Sequence, residues 1–246
     1  MSNLNAPSYQ IEQPVIFLPG TLCDERIFNA CWQYLDIPMR AFVPLQWAED
    51  LTQMKMLTSD RLAYFSQKVH LVGYSMGAYI AALTALENPN RIASLTLIAS
   101  TCDALPEAAQ KARQQTLKLI KSRQYKGLTK KHLAQFFHLS NQDKQQQALV
   151  KAMEQDLGPG VLAAQYQATA NRKNLMPKLA KANFAINLIA GEQDNFVSQQ
   201  VFTLMQNALP KANSLIIQNT GHMLPIEQPA ELAKHLAANI NQLTIA

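Results

Sequence analysis

The sequence lacks any apolar run that approaches the roughly 18 residues of a membrane-spanning helix. Its first residues, Met1 to Pro14, are polar and contain neither the basic nor the apolar region of a secretory signal peptide. Internal repeats and low-complexity tracts are also absent. We therefore expect a cytoplasmic protein that has no contact with a membrane.

Cysteine is scarce. The three cysteines, Cys23, Cys31 and Cys102, are odd in number and have no metal-ligand spacing. A sparse, odd set is typical of reduced thiols in a cytosolic protein, where a thiol acts as a small buried hydrophobe. We expect no metal and no cofactor.

Positive charge is unevenly distributed. The 246 residues are 48% hydrophobic and 16% charged, which predicts a globular protein with a sizeable core, and the net charge is +5. Residues 104–181 contain fourteen Lys or Arg and four acidic residues, a net charge of +10, so the remainder carries −5. No nucleic-acid-binding motif accompanies these basic residues, and we expect no nucleic-acid partner.

Apolar strand-like runs alternate with helical patterns towards both ends of the chain. This alternation predicts an α/β fold with a mostly parallel sheet and helices on both faces. The expected helices lie at 24–35, 51–67, 78–87, 198–208 and 229–243. The expected strands lie at 14–18, 40–44, 69–73, 92–99, 185–190 and 214–217, with a short edge strand at 9–12.

The chain changes character after residue 102. Residues 104–181 show no convincing strand, and helices are expected at about 105–124, 129–139, 143–156 and 159–171. We interpret 103–181 as an all-helical cap (lid) inserted into a core formed by 1–102 and 182–246. The cap is expected over the carboxyl edge of the sheet, where the active crevice of such sheets lies.

One sequence motif supplies the candidate catalytic nucleophile. The predicted strand Val69–Gly73 runs into Gly73-Tyr74-Ser75-Met76-Gly77, and a helical pattern follows from Ala78. A strand, a sharp turn and a helix form the context of a nucleophile elbow, which exposes a serine hydroxyl at the turn. Glycines leave room for the close backbone packing that such a turn needs.

A serine nucleophile needs a base, and the base needs an orienting group. Of five histidines, His222 follows a strand in a loop on the same edge as Ser75, whereas His70 lies within an apolar strand and is expected to be structural. Asp194 follows the strand 185–190 and is the expected acid, with Glu192 and then Asp103 as alternatives.

The tetrahedral intermediate of acyl transfer needs two hydrogen-bond donors for its oxyanion. The backbone N–H of Met76, directly after the nucleophile, is one candidate. The second is expected in the loop after the first strong strand, where Gly20 allows a close approach and Thr21 supplies the N–H.

These motifs resemble the α/β-hydrolase superfamily along nearly the whole chain. The stretch 18–24 (LPGTLCD) is similar to small bacterial carboxylesterases near the enol-lactonase and pimeloyl-carrier methyl esterase groups. Pro19 and Ala78 stand where the family commonly has histidine and glycine, and neither change removes a catalytic group. The resemblance implies a helical cap between the strand after the elbow and the acid.

The expected activity is hydrolysis of a carboxylic ester or thioester through an acyl-serine. The fold also hosts lyases and C–C hydrolases that use the triad for proton abstraction, and non-catalytic receptors, and these alternatives stay open. An acyl carrier protein, a coenzyme A thioester or a substrate carboxylate could bind the basic cap. Expected pocket residues are Leu22, Phe136, Phe137, Tyr166, Phe196, Met223 and Leu224.

Overall fold

A computed structural model describes residues 8–141 and 143–243 of the chain. Its strands are β1 (Tyr9–Gln10), β2 (Val15–Leu18), β3 (Leu35–Asp36), β4 (Arg40–Phe42), β5 (Val69–Tyr74), β6 (Ile92–Ile98), β7 (Ala185–Gly191) and β8 (Asn213–Ile217). Its α-helices are α1 (Arg26–Trp32), α2 (Leu51–Ala63), α3 (Met76–Glu87), α4 (Glu107–Lys121), α5 (Lys130–Ala134), α6 (Lys144–Ala168), α7 (Met176–Leu179), α8 (Gln199–Ala208), α9 (Leu224–Glu227) and α10 (Pro229–Gln242).

Six strands form one sheet in the order β4-β2-β5-β6-β7-β8, and every pairing among them is parallel. The predicted central parallel sheet is thereby confirmed. The expected edge strand near the amino terminus instead pairs with β3 in a separate two-stranded sheet, with Tyr9 opposite Leu35. The short strand β3 was not expected from the sequence.

Both faces of the six-stranded sheet are buried beneath helices. Along β2, Ile16 and Leu18 pack into the cluster with α2, α3 and α8, whereas Val15 and Phe17 pack against α1 and α10 on the opposite face. Helices on both faces explain why the strands are continuous apolar runs rather than alternating ones. Because parallel strands all end at one edge, the loops after β2, β5, β7 and β8 meet there.

Helix α2 ends at Ala63, four residues before the predicted end at 67. The guanidinium of Arg91 donates hydrogen bonds to the carbonyls of Leu62 and Phe65. A cation on the last carbonyls satisfies the free acceptors of a helix end and thereby terminates the helix. The periodic pattern of the helix could not reveal this long-range partner.

We call residues 103–181 the cap segment, since helices α4 to α7 lie between β6 and β7. Element α6 consists of two helical parts that meet at Gly158, whose φ of 75° and ψ of 175° are not helical, so the two helices predicted at 143–156 and 159–171 are divided where expected. The predicted helix 129–139 is shortened to α5, and α7 was not expected.

The three cysteines are free and buried. Among the residues described, no helix combines the length and the apolarity that a membrane crossing requires. The predicted core range also includes residues 1–7 and 244–246, which lie outside the described part of the chain.

Candidate active site

Ser75 stands between β5 and α3 with a backbone φ of 52°, in a region that non-glycine residues rarely adopt. Its N–H donates to the carbonyl oxygen of Ile98 on the neighbouring strand at 2.8 Å. A strained serine between a strand and a helix is the geometry expected of a nucleophile elbow. Its hydroxyl therefore lies at the carboxyl edge of the sheet.

Three glycines allow the backbones around Ser75 to touch. A Cβ on Gly73 would lie 2.4 Å from the Cα of Ala78, and one on Gly77 would lie 2.4 Å from the carbonyl oxygens of Leu18 and Pro19. A Cβ on Gly20 would lie 2.8 Å from the Tyr74 ring and 3.2 Å from the Cβ of Ser75. Hence the loop after β2 is packed directly against the nucleophile.

The structure brings Ser75, His222 and Asp194 into one hydrogen-bonded chain. His222 Nε2 lies 3.1 Å from Ser75 Oγ, and His222 Nδ1 lies 2.8 Å from Asp194 Oδ2. The side chains of His222 and Asp194 are 7% and 0% exposed, so bulk water does not compete for this pair. The alternative acid Glu192 instead accepts from Asn219 N at 3.0 Å.

The environment of Asp194 favours its carboxylate form. Burial alone would raise the pKa of Asp194, but the positive charge and hydrogen bond of His222 lower the pKa below its usual value, with help from two N–H groups. These are the N–H groups of Phe196 and Val197, which donate to Oδ1 at 2.7 Å and 3.0 Å. With Oδ1 held by the backbone, Oδ2 is directed at the imidazole.

The candidate oxyanion donors lie on the two sides of Ser75. Met76 is the first residue of α3, so its N–H has no partner within the helix. Thr21 occupies a turn closed by Cys23 N to Gly20 O at 3.3 Å, and within the described chain its own N–H has no partner. The turn is strained, since Leu22 has a φ of 50°.

A residue not expected from the sequence holds this turn in place. Gln165, on α6, accepts a hydrogen bond from Leu22 N at 2.9 Å through its Oε1 and is 0% exposed. A glutamine in a helical pattern gives no signal of such a role. The cap segment is thus connected directly to the loop that carries Thr21.

The loop of His222 is also held by the cap segment. Phe136 O accepts from His222 N at 2.8 Å and from Met223 N at 3.0 Å. Glu227, also not expected, accepts from Gly221 N at 2.9 Å and from His138 N at 2.8 Å. Residues 136–138 are therefore used to bind this loop, which explains why α5 is shorter than predicted.

The structure places the expected pocket residues in different environments. The ring centre of Phe196 lies 4.7 Å from that of His222 and stacks on the ring of Phe136 at 5.0 Å, so these two rings lie beside the imidazole. Met223 Sδ accepts from the hydroxyl of Tyr74 at 3.2 Å. Phe137 and Leu224 are 2% and 0% exposed and pack within the core. Tyr166 packs beneath the guanidinium of Arg113, and Leu22 is partly buried in the turn beside Thr21.

Among the residues that the structure describes, no cluster of three or more His, Cys, Asp or Glu could hold a metal ion.

Comparison with known proteins places this geometry in context. A model of the alpha/beta hydrolase fold family matches residues 48–229. A search of curated proteins gives no significant match. Many solved structures have the same fold, including a thermophilic esterase from Thermogutta terrifontis at 16% identity and TM-score 0.80, which covers 95% of this chain and 91% of that chain.

Two further similar structures illustrate the range of proteins on this fold. MenH from S. aureus is 20% identical with TM-score 0.75, and the similarity covers 97% of each chain. The putative non-heme bromoperoxidase BpoC from Mycobacterium tuberculosis is 18% identical with TM-score 0.72, covering 95% of this chain and 93% of that one. At these identities the likeness establishes the fold, and the predicted α/β-hydrolase fold is confirmed.

Proposed function

Because the chain belongs to the alpha/beta hydrolase fold family, we propose that it is a serine hydrolase that cleaves a carboxylic ester or thioester. The observation that carries the proposal is the chain of contacts from Ser75 Oγ to His222 Nε2 at 3.1 Å and from His222 Nδ1 to Asp194 Oδ2 at 2.8 Å. Solved esterases with this fold, such as that of Thermogutta terrifontis, are consistent with it.

In the proposed reaction, His222 Nε2 takes the proton of Ser75 as Oγ attacks the carbonyl carbon. Asp194 keeps the Nδ1 proton in place and stabilises the imidazolium that forms. The negative oxygen of the tetrahedral intermediate binds the N–H groups of Thr21 and Met76, and the amino-terminal end of α3 adds a favourable dipole.

Collapse of the intermediate expels the alcohol or thiol, which receives the proton from His222 and leaves an acyl-serine. Water then attacks the acyl-serine while His222 takes a proton from it, and as the acyl–Oγ bond breaks His222 returns this proton to Ser75 and the carboxylic acid departs. Phe136 and Phe196 beside the imidazole supply an apolar wall suited to an acyl or alkyl group.

Active-site labelling tests the proposal. A fluorophosphonate should label the native protein at Ser75 and fail to label Ser75→Ala, which should also hydrolyse p-nitrophenyl esters more than about a thousandfold more slowly. The matched control is Ser122→Ala, at an exposed serine. Normal ester turnover by Ser75→Ala would refute the nucleophile.

A lyase that uses the same residues for proton abstraction forms no acyl-serine. Acid-quenching the native protein during turnover and measuring the mass of the peptide that contains Ser75 therefore separates the two activities.

We also propose an anionic partner for the cap segment. Of its fourteen Lys and Arg residues, twelve are exposed, and Lys111 forms a surface pair with Glu107. Such a surface attracts negative partners at a distance, and a carrier-linked or coenzyme A-linked acyl group has that charge.

A further inference from the structure

Two arginines of the cap segment, Arg113 and Arg172, are turned inward and half-buried. Arg113, on α4, donates from Nη1 to Thr169 Oγ1 at 2.9 Å, and its guanidinium lies 4.7 Å from the centre of the Tyr166 ring. In the described part of the chain it has no carboxylate partner.

Arg172 has a similar environment. Its guanidinium lies 4.7 Å from the centre of the Tyr79 ring and donates to Asp103 O at 3.0 Å and 2.8 Å and to Thr101 Oγ1 at 3.2 Å. Among the residues described, it too forms no ion pair. Both cations are therefore held by aromatic faces and neutral oxygens alone.

This arrangement is electrostatically unfavourable unless an anion completes it. Burial lowers the pKa of both guanidiniums, and the charge of Arg172 lowers the pKa of Arg113 further, while the charge of Asp103 offsets only part of the effect of burial on Arg172. Arg26 provides the contrast, because it pairs with Asp24 at 2.6 Å and Asp156 at 2.7 Å and its pKa is raised. Buried charges in proteins are normally paired in this second way.

The pair lies beside the candidate active site. Tyr79 lies on the first turn of α3, four residues after Ser75. Thr101 is three residues after Ile98, whose carbonyl binds the N–H of Ser75. Arg172, which contacts both Tyr79 and Thr101, is thereby located at the same edge of the sheet as the nucleophile.

Arg113 is connected through Thr169 and Gln165 to the loop that carries Thr21. Thr169 donates to Gln165 O at 2.7 Å, one turn earlier on α6, and Gln165 holds Leu22 N through its Oε1. The side-chain nitrogen of this fully buried Gln165 has no hydrogen-bond partner. This nitrogen is a donor without an acceptor, on a residue close to Thr169 and Arg113.

We propose that Arg113 and Arg172 form an anion-binding subsite of the substrate pocket that takes a carboxylate remote from the scissile ester. The preferred substrate is then a half-ester of a dicarboxylic acid. Within the described chain, Nε and Nη2 of Arg113 make no hydrogen bond, and that edge matches the two oxygens of a carboxylate. Arg172 already donates from Nε and Nη2 and offers Nη1 as a further donor. This inference rests on the proposed ester hydrolysis, whose substrate class it specifies.

The experiment compares monomethyl esters of the dicarboxylic acids from succinate to suberate with the neutral dimethyl esters of the same acids. At the best chain length, the native protein should have a kcat/KM at least about tenfold higher for the half-ester. Arg113→Met and Arg172→Met should each lower this ratio about tenfold. Lys211→Met, at an exposed position outside the cap segment, is the matched control and should keep the native ratio.

Arg172 also binds the backbone of Asp103, so its removal can affect folding. Arg113→Met and Arg113→Lys, which disturb one hydrogen bond, then carry the test, and the lysine variant should retain an intermediate ratio. Equal ratios in the native protein and in Arg113→Met would overturn the subsite.

If the proposed ester hydrolysis is wrong, the experiment has a different outcome from the one expected if only the subsite is wrong. If the native protein hydrolyses neither ester, calorimetric titration with adipate tests the subsite alone. Binding to the native protein that weakens about tenfold or more in Arg113→Met supports the subsite. Absent binding, or equal binding by both proteins, overturns it.

Discussion

At the scale of single residues, Gln165 tests whether the cap segment supports the oxyanion loop. Gln165→Met removes the acceptor of Leu22 N while keeping a similar volume, and an unpaired buried N–H costs about 1–3 kcal/mol. We expect kcat for a p-nitrophenyl ester to fall roughly tenfold with little change in KM, because the loop contacts the transition state more strongly than the substrate.

The control for this prediction is Gln167→Met, at an exposed position on the same helix, which should retain native kcat. If both variants had native kinetics, the contact between Gln165 and Leu22 would have no part in catalysis.

The sequence allowed Ser75, Asp194 and His222 to be located because each follows a predicted strand, and parallel strands end at one edge. Gln165 and Glu227 could not be located in this way. Their contacts are with backbone N–H groups of loops distant in the chain, and a polar residue in a helical pattern carries no mark of such a partner. The inward orientation of Arg113 and Arg172 could not be predicted either, because the sequence gives only the summed charge of the cap segment.

At the scale of elements, the kink in α6 depends on one glycine. Gly158 has φ 75° and ψ 175°, which side chains rarely allow, although a Cβ there would meet nothing within 4 Å. Gly158→Ala should therefore lower the free energy of unfolding by about 1–3 kcal/mol through backbone strain alone.

Gly160→Ala is the matched control, because the site is equally open and its φ is not positive. It should stabilise the protein by roughly 0.5–1 kcal/mol, the usual gain from replacing glycine in a helix. Urea unfolding of the two variants measures both effects, and equal stabilities would contradict the strain.

In β5, burial lowers the pKa of His70 to about 4, and its Nδ1 lies 2.7 Å from Ser94 Oγ. In the unfolded chain the pKa of histidine is about 6.5. Between these values the unfolded state binds a proton that the folded state does not, so stability falls as the pH is lowered from about 6.5 to 4.

The loss integrates to about 3 kcal/mol at most. His70→Gln, which keeps a polar group of similar length, should flatten this part of the stability–pH profile relative to the native protein. Denaturant midpoints at several pH values measure the effect, and parallel profiles for the two proteins would exclude His70 as the cause.

The element pattern was predictable where packing follows from the chain itself. Continuous apolar runs revealed β2, β5, β6 and β7 because these strands are buried on both faces. Helix ends were less predictable, as at Ala63, where a distant arginine terminates α2. Residues 143–156 and 159–171 were predicted as two helices because Gly158 and Pro159 break the pattern, and the non-helical backbone of Gly158 does divide α6 at that point.

At the scale of the whole molecule, the charge asymmetry predicts a salt-dependent encounter with an anionic substrate. Lys130→Glu together with Lys131→Glu reverses two exposed charges of the cap segment. We expect kcat/KM for an acyl-coenzyme A or carrier-linked ester to fall several-fold at low salt, and the difference to disappear at high salt as charges are screened.

The control variant carries Lys68→Glu and Lys211→Glu, which change the net charge equally at exposed positions outside the cap segment. It should behave as the native protein does. A p-nitrophenyl ester, which has no such charge, should be hydrolysed equally by all three proteins.

The contacts of the cap segment also determine which parts of the molecule open together. Leu22 N is bound to Gln165, while His222 N and Met223 N are bound to Phe136 O, so none of these amides can exchange its hydrogen until the cap segment moves. Amides in β5 and β6 are protected by the sheet and should exchange only on global unfolding.

Hydrogen–deuterium exchange should therefore group the amides of the two loops with those of α6 and not with the adjoining strands. His222 and Thr21, the candidate base and one candidate oxyanion donor, then belong to a single cooperative unit with the cap segment, whereas Ser75, whose N–H is bound to β6, belongs to the sheet.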